Sequence, residues 1–158
     1  MIAGDILPLP STTGPETPRQ GGVAEQLSFA LYGAANRVVR LHKPFLDPLG
    51  ITFPQFLVIL ELLNGSPRTV GELCTRLDMD TGTLTPVLKR LQAAGRVTRT
   101  RDVNDERRVL VDLTEASRTM ASEIHAVTGK IRSACQLTEA DVYDLRLTLE
   151  ALAHPASE

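Results

Sequence analysis

The chain is short of the features that mark membranes, secretion, metals and catalysis. No apolar run approaches the roughly 18 residues that a bilayer span requires, so no membrane partner is expected. No basic segment precedes an apolar core near the N-terminus, so no secretory signal is expected either. Cysteine is represented twice, by Cys74 and Cys135. That is too few for a disulfide framework and fits a reducing cytoplasm. Three histidines and no Cys/His ligand spacing argue against a structural zinc, and no metal or cofactor is expected. There is no nucleophile–base–acid set and no phosphate loop, so the chain does not read as an enzyme. No internal repeat is evident.

What is present is an ordinary soluble composition with an uneven charge. The 158 residues suit one domain, and 42% are apolar and 23% charged. The net charge is −2. Yet between Thr81 and Arg108 seven basic residues (Lys89, Arg90, Arg96, Arg99, Arg101, Arg107 and Arg108) face three acids, Asp102, Asp105 and Glu106. A basic element on an acidic body is the electrostatic pattern of a nucleic-acid reader.

Residues 1–22 hold four prolines and four glycines and read as a mobile arm. From about residue 25 the pattern turns helical, with Leu27, Leu31, Ala34, Val38 and Leu41 on one stripe. Pro44 is expected to kink or end this helix. Thr52, Pro54 and Gln55 form an N-terminal signature for a second helix over 54–63. Thr69 with Glu72 repeats the capping box for a short helix over 70–77. The turn 78–80 leads into a fourth helix over 81–94, ended by Gly95. Residues 96–101 and 107–112 alternate as strands around a charged tip, 102–106. Helices over 114–133 and 139–152 follow, the last with Val142, Leu145, Leu149 and Leu152 on one face.

Helix, tight turn, helix and two-stranded hairpin, in that order, predict a mainly α fold with a small β-wing: a winged helix–turn–helix. That unit spans about 50–113 within a subunit of 23–158. The terminal helices, about 25–48 and 114–152, are apolar on a face the small unit cannot cover and are expected to form a dimerisation layer.

The chemistry at the start of the fourth helix suits a DNA groove. Thr81, Gly82, Thr83 and Thr85 make a narrow, hydroxylated first turn. Hydroxyls bond phosphates or base edges, and threonine methyls touch thymine methyls. Lys89 and Arg90, one to two turns on, are placed for phosphates, while Leu84, Val87, Leu88 and Leu91 anchor the opposite face. In the hairpin, Asp105 is spaced to hold Arg107 in a pose suited to the minor groove. A capped helix start alone, or a basic hairpin alone, fits an ordinary solvated surface. Both in this order, with Gly95 between, point to double-stranded DNA.

Four segments carry a family resemblance: QLSFALYGA (26–34), KPFLDPLGITFPQFLVIL (43–60), DTGTLTPVLKRLQAAGRVTR (80–99) and DERRVLVDLTE (105–115). On these the chain resembles the MarR family of winged-helix dimeric repressors, and within it the organic-hydroperoxide-responsive (OhrR) subgroup. The resemblance implies a homodimer on an inverted-repeat operator. Pro86 and Arg99, in the same basic stretch, complete the candidate DNA-contacting residues. It also implies that Ser28 stands where the subgroup has its peroxide-sensing cysteine. A thiolate attacks a peroxide and proceeds to sulfenate; a serine hydroxyl does not. Tyr32 matches a tyrosine that hydrogen-bonds the sensor sulfur. His42 replaces a second tyrosine, and Phe53 is an aromatic without its hydroxyl. Ser28 and His42 lie 14 residues apart, roughly 21 Å along one helix, so they would meet only across a dimer. Cys135 falls near the resolving thiol of two-cysteine members, or is an inert helix-end cysteine; Cys74 reads as packed core.

Two readings of Ser28 stay open. It is a replacement that freezes the reduced form, or it marks a paralogue that answers another signal. Beside the repressor stand a regulator that takes a small apolar effector and a winged-helix protein-docking module that never touches DNA.

Overall fold

The computed structural model describes residues 22–154. The described chain divides into two units at Ala34/Ala35. The first contains a short 3-10 turn, Val23–Glu25, and the opening turns of helix α1, Leu27–Leu46. Leu27, Phe29 and Tyr32 of that unit are exposed. The arm expected over residues 1–22 lies, apart from Gly22, outside the described residues.

The second unit carries the rest of α1, then α2 (Phe53–Asn64), β1 (Arg68–Thr69), α3 (Val70–Leu77) and α4 (Thr81–Ala93). Strands β2 (Val97–Arg101) and β3 (Val109–Leu113) follow, then α5 (Glu115–Arg118), α6 (Ala121–Ala134) and α7 (Glu139–Ala153). The sheet is antiparallel in the order β1-β3-β2, with Val97 opposite Leu113 and Arg101 opposite Val109. Helix–turn–helix plus sheet is the winged-helix arrangement that the element order predicts.

The core sits where α2, α4, α6 and the sheet meet. Val58 and Ile59 of α2, Leu73 of α3, Leu84, Leu88 and Leu91 of α4, Val111 of β3 and Ile124 of α6 are essentially inaccessible. On α4 the buried residues recur at three- and four-residue steps, so one face is held by packing while Lys89 and Arg90 stay outside.

Three expectations need correction, and a fourth, left open as a kink or an end at Pro44, is narrowed. Pro44 does not end α1, which continues to Leu46. Leu46 is buried in the core and Lys43 pairs with Asp47 at 2.8 Å, so packing offsets the lost backbone bond. A 3-10 turn, Asp47–Leu49, then ends at Gly50 in the left-handed region, φ 66°. The sheet gains a third strand: β1 is two residues long, too short to show alternation. It is fixed by pairing with β3 and by Arg68 reaching the nearly buried carboxylate of Glu61 on α2. The wing loop is longer than expected, because β3 begins at Val109. The helix expected over 114–133 is broken at Thr119–Met120 into α5 and α6. The cause is tertiary, since Ser117 is buried and its hydroxyl donates to the Arg96 carbonyl at 2.7 Å.

The apolar faces behave differently from the core. None of α7 is buried, and Val142, Leu145, Leu149 and Leu152 are all exposed. Among the described helices no single one is long and apolar enough to cross a membrane.

Candidate nucleic-acid interface

The start of α4 is built by two caps in series. At the start of α3 the Thr69 N–H donates to the Glu72 carboxylate at 2.7 Å, and the Glu72 N–H donates back to the Thr69 hydroxyl at 3.1 Å. The Thr69 backbone bond first, then its hydroxyl, hold the Glu72 carboxyl below the ordinary carboxylate range. Asp78 closes α3 in the left-handed region, φ 50°. Asp80 then caps α4, accepting from the Thr83 N–H at 2.7 Å and from the Thr83 hydroxyl at 2.8 Å. These bonds lower the Asp80 pKa, the backbone one most.

That second cap revises the reading of the first turn. The Thr83 hydroxyl is engaged as a donor to Asp80, so what it offers a ligand is its acceptor side and its methyl. Asp80 also puts a carboxylate at the start of the helix, beside its first-turn N–H groups. Gly82 is confined by the same residue, since a Cβ there would sit 3.0 Å from Asp80 Oδ1. Thr81 lies with its hydroxyl 3.7 Å from the Cys74 sulfur. Pro86, Lys89 and Arg90 are exposed along the helix.

The fold brings Thr81 and Thr85 of α4 together with Arg99 of β2 and Arg107 of the wing loop. They line one cleft of about 380 Å³, joined by Thr69 and Arg108, with no acidic residue in its lining. Arg99 is half-buried and its Nε makes no hydrogen bond. Arg107 is the opposite case, with its side chain 91% exposed and held at its base. Its Nε donates to Asp105 Oδ1 at 3.1 Å, its Nη2 to Oδ2 at 3.4 Å, and its backbone N–H also to Oδ1. The Arg107 side chain, more than its backbone, keeps the Asp105 carboxyl below its ordinary range. Asp102 and Asp105 also organise the tip through the Asn104 and Arg107 N–H groups.

Thr69 and Arg108 are not among the DNA contacts expected from the sequence. The capping box marked Thr69 as structural, and nothing in linear order places it beside the wing. Arg96, counted in the basic stretch, turns inward. Its guanidinium donates to the Leu49 carbonyl at 3.0 Å and lies against the Met120 sulfur.

The residues matched to a redox sensor fall in both units of the chain. Ser28 and Tyr32 are exposed on α1 in the first unit. In the second unit His42 is buried, its ring Nδ1 bonding the Val38 carbonyl at 2.8 Å. It packs edge-on to Phe53 at 4.7 Å between centroids, and Phe56 lies at 5.6 Å. His42 and Phe53 thus form an apolar aromatic cluster. Cys135 caps α6 and faces a cleft of about 570 Å³ between α6 and α7, lined by Val38, Ile131, Val142, Leu145 and Leu149. Cys74 packs half-buried against the core. Among the described residues no three His, Cys, Asp or Glu side chains are grouped to hold a metal ion.

A capped helix–turn–helix, a basic cleft at the start of its second helix and a three-stranded wing define a winged-helix transcriptional regulator. Comparison with known proteins agrees. The sequence profile of the SarA/Rot transcriptional regulators matches residues 40–124. The chain is 37% identical over 127 residues to the organic hydroperoxide resistance transcriptional regulator of Bacillus subtilis, covering 80% of this chain and 86% of the relative. It is 35% identical over 140 residues to the HTH-type transcriptional regulator MgrA of Staphylococcus aureus, covering 88% and 95%. Among solved structures, a MarR variant from E. coli complexed with operator DNA superposes with a TM-score of 0.71 at 31% identity, covering 80% of this chain and 92% of that one. The chain belongs to the MarR/SarA family of winged-helix transcriptional regulators. Its relatives are regulators, not enzymes.

Proposed function

We propose that the protein is a cytoplasmic, dimeric repressor that reads an inverted-repeat operator in double-stranded DNA. The carrying observation is the pairing of two surfaces: the acid-free cleft at the start of α4, and Arg107 projecting from the wing on its Asp105 brace. The first turn of α4, Thr81 to Thr85 with Pro86, enters the major groove. Lys89, Arg90 and Arg99 meet phosphates, and Arg107 enters the adjacent minor groove. The winged unit, about 50–113, does the reading. The terminal helices, about 25–48 and 114–152, form the dimer layer, which accounts for the exposed Phe29, Tyr32, Leu145, Leu147 and Leu152. The DNA-bound state of the MarR relative supports the same reading.

With serine at position 28, organic hydroperoxides do not release the protein from its operator. The cluster of buried His42 and Phe56 with half-buried Phe53, with no hydroxyl pair to poise a sulfur, favours a small apolar effector in place of peroxide. The test is footprinting for an inverted repeat, followed by mobility shifts with cumene hydroperoxide on the parent and on Ser28→Cys. Expected are protection of two half-sites about one helical turn apart and no peroxide response from the parent. Binding to a lone half-site as tight as to the repeat overturns the operator reading. Peroxide-driven release of the parent overturns the loss of sensing and implicates Cys135.

A further inference from the structure

Arg96 is the residue where three parts of the second unit are tied together. Its backbone N–H donates to the Leu91 carbonyl at 2.8 Å, just after Gly95 at φ 66° closes the recognition helix α4. Its backbone carbonyl accepts from the Ser117 hydroxyl at 2.7 Å and from the Thr114 N–H at 3.1 Å, so it holds the start of α5. Its side chain reaches a part of the chain 47 residues earlier. There it donates to the Leu49 carbonyl in the turn that leaves α1, and it lies against Met120 at the break between α5 and α6. The neighbouring Gly95 carbonyl accepts from the Thr114 hydroxyl at 2.9 Å, which stiffens the same joint.

We propose that Arg96 is a positioning residue for operator recognition, setting the angle of α4 against the turn after α1 and the α5–α6 break. This rests on the dimeric reading above. In such a dimer α1, α6 and α7 are the pairing layer, so the joint between that layer and α4 decides how far apart, and in what rotation, two recognition helices stand. A leucine at 96 keeps the backbone bonds but loses both side-chain ties. A lysine keeps one donor for the Leu49 carbonyl. Because the guanidinium points inward, Arg96 neutralises no phosphate.

The readout is half-site spacing. Full-length parent, Arg96→Leu and Arg96→Lys are titrated against duplexes with the footprinted repeat and with one base pair inserted or removed, each step turning a half-site by about 34–36°. The parent loses about tenfold or more in affinity for either altered spacing, as expected for two rigidly phased helices. Arg96→Leu binds its best duplex more weakly and shrinks the spacing penalty to within about threefold, and Arg96→Lys, which keeps one of the two ties, shows an intermediate penalty. The salt slope of Arg96→Leu equals that of the parent, whereas loss of one phosphate contact lowers it by about 0.9.

A uniform loss of affinity with the spacing penalty intact overturns the proposal and leaves Arg96 merely structural. So does a salt slope reduced by about one. If Arg96→Leu does not fold, the same comparison on Arg96→Lys, with an intermediate penalty expected, decides in its place. A parent indifferent to spacing overturns the dimeric operator reading itself. A parent with a sharp preference that Arg96→Leu retains overturns the role of Arg96 alone.

Discussion

The winged unit and the last helix use the same apolar alphabet to different ends. On α4, Leu84, Leu88 and Leu91 are inaccessible, and the faces packed against α4, on α2, α3 and β2, are in the same chain. On α7, Leu145, Leu149 and Leu152 repeat at similar spacing and remain exposed. Helical periodicity therefore identifies a face that needs covering and is silent on what covers it. A face covered by its own chain contributes to folding at any concentration. A face left open contributes only when a partner arrives, and its stabilisation depends on concentration.

The largest expected effect breaks the comparison from the covered side. Leu88→Ala removes a fully buried side chain and should lower the unfolding free energy by about 2–5 kcal/mol. Urea titration measures it; a loss under about 1 kcal/mol would mean that α4 is not anchored as described. From the open side, Leu145→Asp should leave the far-UV spectrum of the subunit unchanged but raise its dimer dissociation constant by roughly 100-fold or more, about 3 kcal/mol. Sedimentation velocity over a concentration series decides this, and an unchanged dimer would place α7 outside the pairing layer.

A smaller effect separates the two ways in which arginines are held. Arg107→Ala should weaken specific operator binding by about 1–3 kcal/mol with little change in thermal stability. Titration against operator and scrambled duplexes distinguishes lost specificity from lost charge. Equal weakening on both would assign Arg107 to phosphates.

The smallest effect concerns the capping box on α3. The Glu72 pKa is depressed in the folded protein, chiefly by the Thr69 N–H. The stability it contributes is therefore present above its ordinary value, 4.5, and lost as pH falls through the lower folded value. Thr69→Ala should cost about 0.5–2 kcal/mol near neutral pH and make the acid limb of the stability profile shallower without abolishing it, because the backbone N–H at 69, the larger cause of the depressed Glu72 pKa, stays. A profile unchanged below pH 4.5 would mean that Glu72 keeps its bonds without the Thr69 hydroxyl.

How far the sequence reached is clearest in particular elements. The cap at Thr69, the stop at Gly95 and the spacing of Asp105 and Arg107 are local relations, settled within a few residues, and each stands in the structure where linear order put it. The two-residue β1, the break between α5 and α6 and the choice between an end and a continuation at Pro44 were not legible. Each depends on a partner far along the chain: Val111 for Arg68, Arg96 for Ser117, and the core around Leu46.

The same division holds for the candidate site. Basic side chains concentrated after Thr81, hydroxyls at a helix start and a wing arginine with its carboxylate are properties of sequence. They specified a winged, DNA-reading class because caps, turns and i,i+2 pairs act over a few ångströms of contiguous chain. Which of those arginines faces a ligand was decided only by tertiary packing. Arg96 and Arg107 are alike in composition and eleven positions apart. One turns inward to a carbonyl 47 residues away and the other stands 91% exposed on the wing. A guanidinium takes whichever acceptor the folded backbone brings within about 3 Å, and linear order does not record which acceptor that is.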